Sequence, residues 1–276
     1  MPELPEVETI RRSLSDWIRK SRRQVEGLKV FREELLKNST IEELQDKFGG
    51  AFIDSLERRA KYLIFNFSNH HSIVLHLGME GRLLLDNKCL ENVQLIVYFG
   101  DNSELYLDDI RNYSRLYLVR SDEVGELNSI SKLGIEPFTN DFTFENFSTL
   151  LDSRQEIKRL LLDQSKIAGL GNIYASEVLF ICGIHPERQA NKLTMKEAQR
   201  LYKGIPELLG KAIEKRGTTI FKYRDIDGSK GEFQNYLEVY GRKGKNCGRC
   251  GGTIEEMEQG GRKTYLCPSC QSLRKD

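Results

Sequence analysis

Apolar residues recur every three or four positions near the start of the chain, and the intervening positions are largely basic. This spacing places the apolar side chains on one face of a helix and the basic ones on the other. The pattern predicts one amphipathic helix that holds the N-terminus rigidly against a core. The apolar positions are Val7, Ile10, Leu14, Trp17 and Ile18, and the basic positions are Arg11, Arg12, Arg19 and Lys20.

From about Val25 to Val119 the pattern changes to short apolar runs that Asn, Gly, Asp and Ser residues separate. Runs of this kind, bounded by turn-forming residues, indicate strands. The region therefore predicts an antiparallel β-sandwich or barrel. The clearest runs cover residues 62–67, 72–77, 94–99 and 116–119, and one helix is predicted over residues 41–48.

Beyond Pro137 the period becomes helical, and a glycine-rich segment at 217–231 then leads to a small final unit. We therefore expect an α+β multidomain chain. The predicted domains are a catalytic N-terminal helix plus β-sandwich at 1–135, a helical domain at 136–235 and a C-terminal unit at 236–276. The predicted helices cover residues 142–151, 157–163, 173–182 and 194–215.

Composition adds little to this picture. The chain has 276 residues, of which 39% are hydrophobic and 30% charged, as is ordinary for a globular protein. The formal net charge is +1, so only local basic patches can indicate a nucleic-acid partner. No apolar run approaches the length of a membrane span and no leader precedes a cleavage site, so we expect a cytosolic protein.

Four of the six cysteines form two closely spaced pairs, Cys247-x2-Cys250 and Cys267-x2-Cys270, with sixteen residues between the pairs. Two such pairs can close a tetrahedral four-sulfur site, so this unit is predicted to be a zinc-held β-hairpin. A redox dithiol fits poorly, because four ligands on a short hairpin leave no open position. Cys89 and Cys182 stand alone and are predicted to be buried free thiols.

Positive charges surround the predicted zinc hairpin. A basic finger of this kind is more often a nucleic-acid contact than a site of chemistry. The charged residues are Arg242, Lys243, Lys245, Arg249, Arg262 and Lys263.

The N-terminal motif Met1-Pro2-Glu3-Leu4-Pro5-Glu6-Val7-Glu8 carries candidate chemistry. Removal of Met1 would leave a secondary amine on Pro2 with a pKa of roughly 7.7–8.0, which is nucleophilic at neutral pH. Attack of this amine on an aldehyde-like carbon gives an iminium, and Glu3 and Glu6 are close enough in sequence to move protons. The alternative is a permissive start followed by an ordinary acidic first turn of a helix.

Three further motifs have both a structural and a functional interpretation. Glycines 169 and 171 form a turn before a helix, where Asn172 could cap the helix or bind phosphate. The charge run at 58–61 is either a solvated loop or places Lys61 at a strand end, facing a phosphate or assisting the amine. The turn at 76–82 carries Met79, which is either core or a wedge into a base stack.

Taken together, these motifs resemble those of the formamidopyrimidine-DNA glycosylase family, the bacterial repair enzymes for oxidised purines. The resemblance runs nearly end to end and includes two further runs, 183–186 and 238–242. It implies a β-sandwich domain, a helix–two-turn–helix domain and a zinc finger with one structural Zn²⁺. It also implies a monomeric bifunctional glycosylase and abasic-site lyase that acts on double-stranded damaged DNA by β,δ-elimination. The expected location is the bacterial cytoplasm, on the nucleoid when DNA is bound.

The resemblance also implies roles for individual residues. Pro2 would attack C1′ of the damaged nucleotide, which must leave the stack, while Glu3 and Glu6 serve the proton transfers. Lys61 would bind phosphate and assist strand cleavage, and Arg262 would contact the phosphates of the scissile nucleotide. Met79, Arg111 and Tyr113 would fill the space that the nucleotide vacates. His76, Lys158 and Asn172 would contact DNA, and Cys247, Cys250, Cys267 and Cys270 would bind the metal.

The sequence departs from the family pattern at three places. Asp109-Ile110-Arg111-Asn112-Tyr113-Ser114 stands where the family usually has Asp-Pro-Arg-Arg/Lys-Phe-Gly. Cys89-Leu90-Glu91-Asn92 replaces an expected Lys-His-Asp-His, and Asp152-Ser153-Arg154 replaces a lysine-rich stretch. A protein with fewer cations releases fewer counterions from the DNA when it binds, so we expect weaker and less salt-sensitive DNA binding.

Two rival functions follow from these departures. One keeps the amine chemistry but acts on oxidised pyrimidines, like the endonuclease VIII branch, which typically begins Pro-Glu-Gly-Pro-Glu where this chain has Leu4. The other is a non-enzymatic damaged-DNA-binding module with a degenerate active site, against which stands the retention of Pro2, Glu3 and Lys61.

Overall fold

The computed structural model describes residues 1–20, 23–85, 90–220 and 222–273. The chain divides into two compact units, one of Met1–Ser131 with Ala212–Gln234 and one of Lys132–Lys211 with Asn235–Asp276. The glycine-rich segment at 217–231 thus belongs to the first unit. The three-domain division with boundaries near 135 and 235 stays a prediction. Cys89, predicted to be a buried thiol, lies outside the described residues.

The first unit begins with helix α1, Leu4–Lys20, which confirms the predicted amphipathic helix. Its apolar stripe is buried, with Ile10 and Leu14 completely inaccessible to solvent. Arg19 and Lys20 lie in the last turn, where positive charge interacts favourably with the helix dipole. The start of the chain is therefore fixed against a core.

Two four-stranded antiparallel sheets form the rest of this unit, as the sandwich prediction requires. The strands are β1 Val25–Val30, β2 Ile53–Arg59, β3 Tyr62–Phe67, β4 His71–His76, β5 Arg82–Leu84, β6 Val93–Phe99, β7 Glu104–Asp108 and β8 Arg115–Arg120, and the helices are α2 Ile41–Phe48 and α3 Asn128–Ser131. The strand orders in the two sheets are β1-β6-β7-β5 and β2-β3-β4-β8.

Both sheets contribute to one apolar core. Leu28 and Leu95 of the first sheet and Phe65 and Leu75 of the second line a common cavity of about 40 Å³. Aliphatic and aromatic side chains line this space throughout, and such a cavity stays dry. The sheets therefore pack face to face around a hydrophobic interior.

The second unit is helical and ends in a β-hairpin. Its helices pack around fully buried side chains, including Phe147, Leu161 and Tyr174. The hairpin strands pair in antiparallel register, with Arg262 opposite Gln259. The helices are α4 Phe144–Leu150, α5 Ile157–Leu162, α6 Asn172–Cys182 and α7 Met195–Glu214, of which residues 212–214 belong to the first unit, and the hairpin strands are β9 Glu255–Gln259 and β10 Arg262–Leu266.

No helix in the described part of the chain combines the length and the apolar character that are needed to cross a membrane.

Candidate active site

Glu6 links the start of α1 to the glycine-rich segment within the first unit. Its Oε2 accepts the backbone N–H of Glu3 at 2.8 Å, and its Oε1 accepts the N–H of Thr218 at 2.7 Å. The first of these bonds satisfies a donor that the helix start would otherwise leave unpaired. Only 1% of Glu6 is exposed. The carboxylate is therefore held at both oxygens and fixes the position of Glu3.

Gly217 permits this close approach. Its φ is +76°, and a Cβ at this position would lie 2.8 Å from Oε1 of Glu6. Any side chain here would both strain the backbone and push the glutamate away. Lys222 and Ile226 hold the same segment further along: Lys222 Nζ lies 2.8 Å from Glu91 Oε2, and the Ile226 carbonyl accepts the Leu85 N–H at 2.9 Å.

The α-amino end of the chain lies among several charged groups. Burial lowers the pKa of the Met1 amine below its usual value; Lys61 lowers it further, while Glu3, Glu6 and Glu80 act in the opposite direction. Pro2 and Glu3 are themselves buried. An amine in this position is thus biased toward its neutral, nucleophilic form.

Lys61 lies in the tight turn between β2 and β3, with only 5% of the residue exposed. Arg58 supports this turn by donating to the Ala60 carbonyl at 3.0 Å. Arg58 and Arg59 belong to β2, and burial of Lys61 excludes the solvated-loop interpretation of this charge run. Lys61 is instead close enough to the amine for its charge to lower the pKa of that group.

Glu8 ties α1 to this turn. It forms ion pairs with Arg58 at 2.9 Å and with Arg11 and Arg12 at 2.8 Å. Burial opposes ionisation of Glu8, but the hydrogen bonds from the three arginines prevail and lower its pKa to about 2. The helix that begins at the amine and the turn that carries Lys61 are therefore joined through one carboxylate.

His76, at the end of β4, is uncharged at neutral pH. Its Nδ1 accepts the N–H of Gly78 at 3.0 Å, which leaves the ring proton on Nε2. Burial first, and then Lys61, Arg115 and the chain's amino terminus, lower the pKa of His76 to about 4. A contact of His76 with DNA would therefore use a neutral N–H donor rather than a cation.

The depressed pKa of His76 predicts a pH-dependent loss of stability. The unfolded chain, with a histidine pKa of about 6.5, binds more protons than the folded chain in the window down to about 4. Stability from this residue is thus present above pH 6.5 and falls as the pH approaches 4. Urea denaturation of the wild type and His76→Gln at pH 7.5 and 5.0 should show the smaller pH effect in the variant. Equal losses in both proteins would contradict this assignment.

Met79, Arg111 and Tyr113 project from two neighbouring loops, residues 77–81 and 109–114, which we call the wedge loops. A Cβ on Gly78, whose φ is +63°, would lie 2.6 Å from the backbone of Tyr113, so the two loops are in direct contact. Met79 is 42% exposed and Tyr113 51% exposed. Arg111 lies 5.7 Å from the Tyr113 ring and 3.7 Å from Glu80 Oε1. The three predicted wedge residues therefore share one surface.

In the second unit, Lys158 and Asn172 both bind the hairpin strand β10. Lys158 is fully buried, and its Nζ donates to Thr264 Oγ1 at 2.6 Å. Asn172 Nδ2 donates to the Lys263 carbonyl at 2.9 Å. Gly171, not Asn172, is the N-cap of α6, so the proposed capping role of Asn172 is not what the structure shows. Both side chains fix the strand that begins at the exposed Arg262.

Glu177, also on α6, anchors the segment that precedes the hairpin. Its carboxylate accepts the N–H groups of Glu238, Val239 and Tyr240 at 2.7–3.0 Å. Burial raises the pKa of Glu177, and the three donors counteract this effect. The sequence motif at 169–177 contained this residue, but its function as an anchor could not be derived, because the segment it binds lies about 60 positions further along the chain.

The four cysteines converge as predicted. Their sulfurs all lie within 4.8 Å of one another, with 3.9 Å between Cys247 and Cys270 and 3.4 Å between Cys250 and Cys267. Four sulfurs at 2.3 Å from a tetrahedral zinc ion would be about 3.8 Å apart, so the cluster fits one structural Zn²⁺. Cys182 lies elsewhere, and burial raises the pKa of its thiol to about 11.

Three family models match the chain. Residues 1–116 match the model described as the N-terminal domain of formamidopyrimidine-DNA glycosylase, residues 133–223 its H2TH domain, and residues 244–273 a zinc finger found in FPG and IleRS. These matches confirm the predicted sandwich, helix–two-turn–helix and zinc-finger architecture. They also confirm one structural zinc site at the four cysteines.

Individual proteins resemble the chain over its whole length. Formamidopyrimidine-DNA glycosylase of Pelotomaculum thermopropionicum is 39% identical, over 99% of this chain and 100% of that protein. The Lactococcus lactis enzyme in complex with abasic-site DNA is 36% identical, with a TM-score of 0.91 over 98% of this chain and 100% of that one. A mutant of the Lactococcus enzyme with Fapy-dG containing DNA is also 36% identical, with a TM-score of 0.91 over 99% and 100%.

Proposed function

The chain belongs to the formamidopyrimidine-DNA glycosylase family, and from this premise we propose that it excises oxidised purines, 8-oxoguanine and formamidopyrimidines, from double-stranded DNA. It is a DNA glycosylase of base excision repair that also cleaves the strand at the resulting abasic site. The observation that carries this proposal is that the charges of Glu3 and Lys61 both act on the amino terminus within one unit.

The nucleophile is the amine of Pro2 after Met1 has been removed. Its nitrogen forms a bond to C1′ as the bond from C1′ to the damaged base breaks, and the departing base takes up a proton that Glu3 is placed to supply. Opening of the sugar ring then gives an iminium. Burial lowers the pKa of the Met1 amine, and the same effect on a Pro2 amine would favour the neutral form that attacks.

Strand cleavage follows from the iminium. Loss of the C2′ proton breaks the bond to the 3′ phosphate oxygen, and a second elimination releases the sugar from the 5′ phosphate. We assign phosphate binding during these steps to Lys61, whose burial strengthens its electrostatic attraction for an anion.

Glu6 serves this chemistry as a positioning residue. With one oxygen on the Glu3 N–H and the other on the Thr218 N–H, its lone pairs are already engaged by fixed donors. Because both oxygens are held by backbone donors, the side chain is fixed in place, and we assign the proton transfer to Glu3. Glu6 thereby holds Glu3 and the 217–231 segment in a fixed relation.

DNA binding draws on residues of both units. In the second unit, the first turn of α6 presents backbone N–H groups that favour phosphate, and Asn172 Oδ1 is buried without a hydrogen-bond partner among the described residues. Arg262 adds an exposed cation at the start of β10. Lys158 acts through Thr264 by fixing this strand.

The protein acts as a monomer, because one unit of one chain supplies Pro2, Glu3 and Lys61. Its four clustered cysteines are free thiols suited to metal binding, and this favours a reducing cytoplasm as the location. On DNA it would be associated with the bacterial nucleoid.

Borohydride trapping tests the function. Borohydride reduces an iminium to a permanent crosslink, so a duplex with 8-oxoguanine opposite cytosine and an abasic-site duplex should both give shifted bands. Crosslinking to the abasic duplex alone would redirect the lesion assignment to oxidised pyrimidines. No crosslink to either, with loss of Met1 verified by intact mass, would favour a DNA-binding module and refute the enzymatic proposal.

A further inference from the structure

Ile110 occupies a constrained position in the second wedge loop. The backbone N–H of Asn112 donates to the Asp109 carbonyl at 3.3 Å, so residues 109–112 form a β-turn with Ile110 at its first central position. Proline is favoured at this position because its ring fixes φ. With isoleucine at this position, contacts from other residues must restrain the backbone.

The Asp109 side chain provides that restraint. Asp109 is fully buried; its Oδ1 accepts the Arg111 N–H at 3.1 Å, and its Oδ2 accepts both the N–H and the hydroxyl of Ser114 at 2.7 Å. An aspartate that binds the backbone two residues ahead stabilises a turn directly. One carboxylate, from the residue before Ile110, therefore holds both Arg111 and Ser114.

Asn92, just before β6, fixes the same turn. Its side-chain amide donates to the Asp109 carbonyl at 3.0 Å and to Asn112 Oδ1 at 3.1 Å, while its carbonyl accepts the Asp109 N–H at 2.9 Å. Asn112 has a φ of 61°, a left-handed conformation that asparagine tolerates. The turn is thus restrained on both sides of Ile110.

Ser114 joins the two wedge loops. In addition to its bond to Asp109, its hydroxyl lies 3.2 Å from the carbonyl of Leu77, at the start of the loop that carries Met79. A Cβ on Gly81 would lie 2.5 Å from the same hydroxyl, so the loops are in contact at this end as well. Both loops therefore form one rigid platform.

The platform exposes three large apolar side chains. Ile110 is 45% exposed, compared with 42% for Met79 and 51% for Tyr113. Neither its own turn nor the adjoining loop covers Ile110, although the backbone around it is fully restrained. A rigid backbone that presents an apolar side chain to water is poised for contact with an apolar partner surface.

We propose that Ile110 is a third apolar contact to DNA, which packs beside Met79 and Tyr113 against the bases next to the vacated position and so favours damaged over intact duplex. This inference rests on the proposed function, since it needs a nucleotide that has left the stack. Base faces that lose a stacking neighbour offer an apolar surface, and side chains such as Ile and Met can occupy such a step.

Binding to a duplex that contains a tetrahydrofuran abasic analogue tests the inference without requiring catalysis. Ile110→Ala should weaken this binding by about three- to tenfold, as expected for the loss of half-exposed apolar area, and leave binding to undamaged duplex unchanged. Ser114→Ala, which removes the bond between the loops, should weaken the same binding. Phe31→Ala removes an equally exposed apolar side chain outside the wedge loops and should bind like the wild type.

The outcomes separate the inference from the function on which it rests. The proposed contact would be overturned if Ile110→Ala bound the analogue as tightly as the wild type and Phe31→Ala do. An equal loss on undamaged duplex would also overturn it, because it would indicate a general rather than a damage-specific contact. Ile110→Ala should still give the borohydride crosslink; failure of the wild type to crosslink would instead refute the proposed function.

Discussion

Replacement of Pro2 by glycine is expected to slow strand cleavage at an abasic site by at least about 100-fold, because it alters the nucleophile itself. The glycine variant also has a free amine after Met1 is removed, but that amine is primary. The imine that it forms must be protonated before it can act as an electron sink. Glycine also lacks the ring that fixes φ. Single-turnover cleavage and borohydride trapping would measure the loss.

Pro5→Ala provides the matched control. Pro5 lies in the first turn of α1, three residues after Pro2, and is also buried, but its nitrogen lies within the chain and cannot attack. This variant should crosslink at nearly the wild-type rate. A Pro2→Gly protein that cleaved like Pro5→Ala, with Met1 shown to be absent from both, would mean that another amine carries the reaction.

The N-terminal half could be predicted where the sequence pattern is local. The period of α1, the limits of β3 at Tyr62–Phe67 and those of α2 at Ile41–Phe48 follow from side-chain spacing and turn residues. β2 was missed because its two buried apolar residues, Ile53 and Leu56, are three positions apart, and an irregularity between Ile53 and Ser55 breaks the alternation of a regular strand. Arg58 and Arg59, part of the charge run at 58–61, form the end of β2 and lie just before β3.

The contacts that organise the candidate site could not be predicted, because they join distant segments. The Glu6–Thr218 bond spans 212 positions, and the bond between Lys158 and Thr264 spans 106. The local spacing of apolar and polar residues gives no information about such a pairing. The motifs identified the residues at the site. Only the fold reveals that Glu6 binds nearby backbone N–H groups and that Lys158 binds a nearby side chain.

In each unit, a buried glutamate holds a backbone segment that is distant in sequence. In the first, the Glu6 carboxylate fixes the segment that begins at Gly217; in the second, the Glu177 carboxylate fixes residues 238–240. Each glutamate is almost fully buried and is satisfied by backbone N–H groups. Glutamine at either position would replace one accepting oxygen with an NH2 group that donates and would leave a buried backbone donor unpaired, so both positions require two acceptor oxygens.

Loss of the structural zinc is expected to unfold the β9–β10 hairpin and to weaken DNA binding by at least about 100-fold. Structural zinc supplies on the order of 10 kcal/mol to a small finger, which exceeds what the few apolar residues around it can provide. Cys267→Ser removes a buried ligand. With the hairpin unfolded, Lys158 and Asn172 lose their partners on β10, and Arg262 loses its fixed position.

Metal analysis, DNA-binding titrations and hydrogen exchange would measure this effect. Cys267→Ser should bind less than one equivalent of zinc and lose exchange protection over β9 and β10, while α1 and the sandwich strands stay protected. Cys182→Ala, a buried thiol outside the cluster, is the control and should retain zinc and affinity. Full DNA affinity in a zinc-free Cys267→Ser protein would show that the phosphate contacts do not depend on the finger.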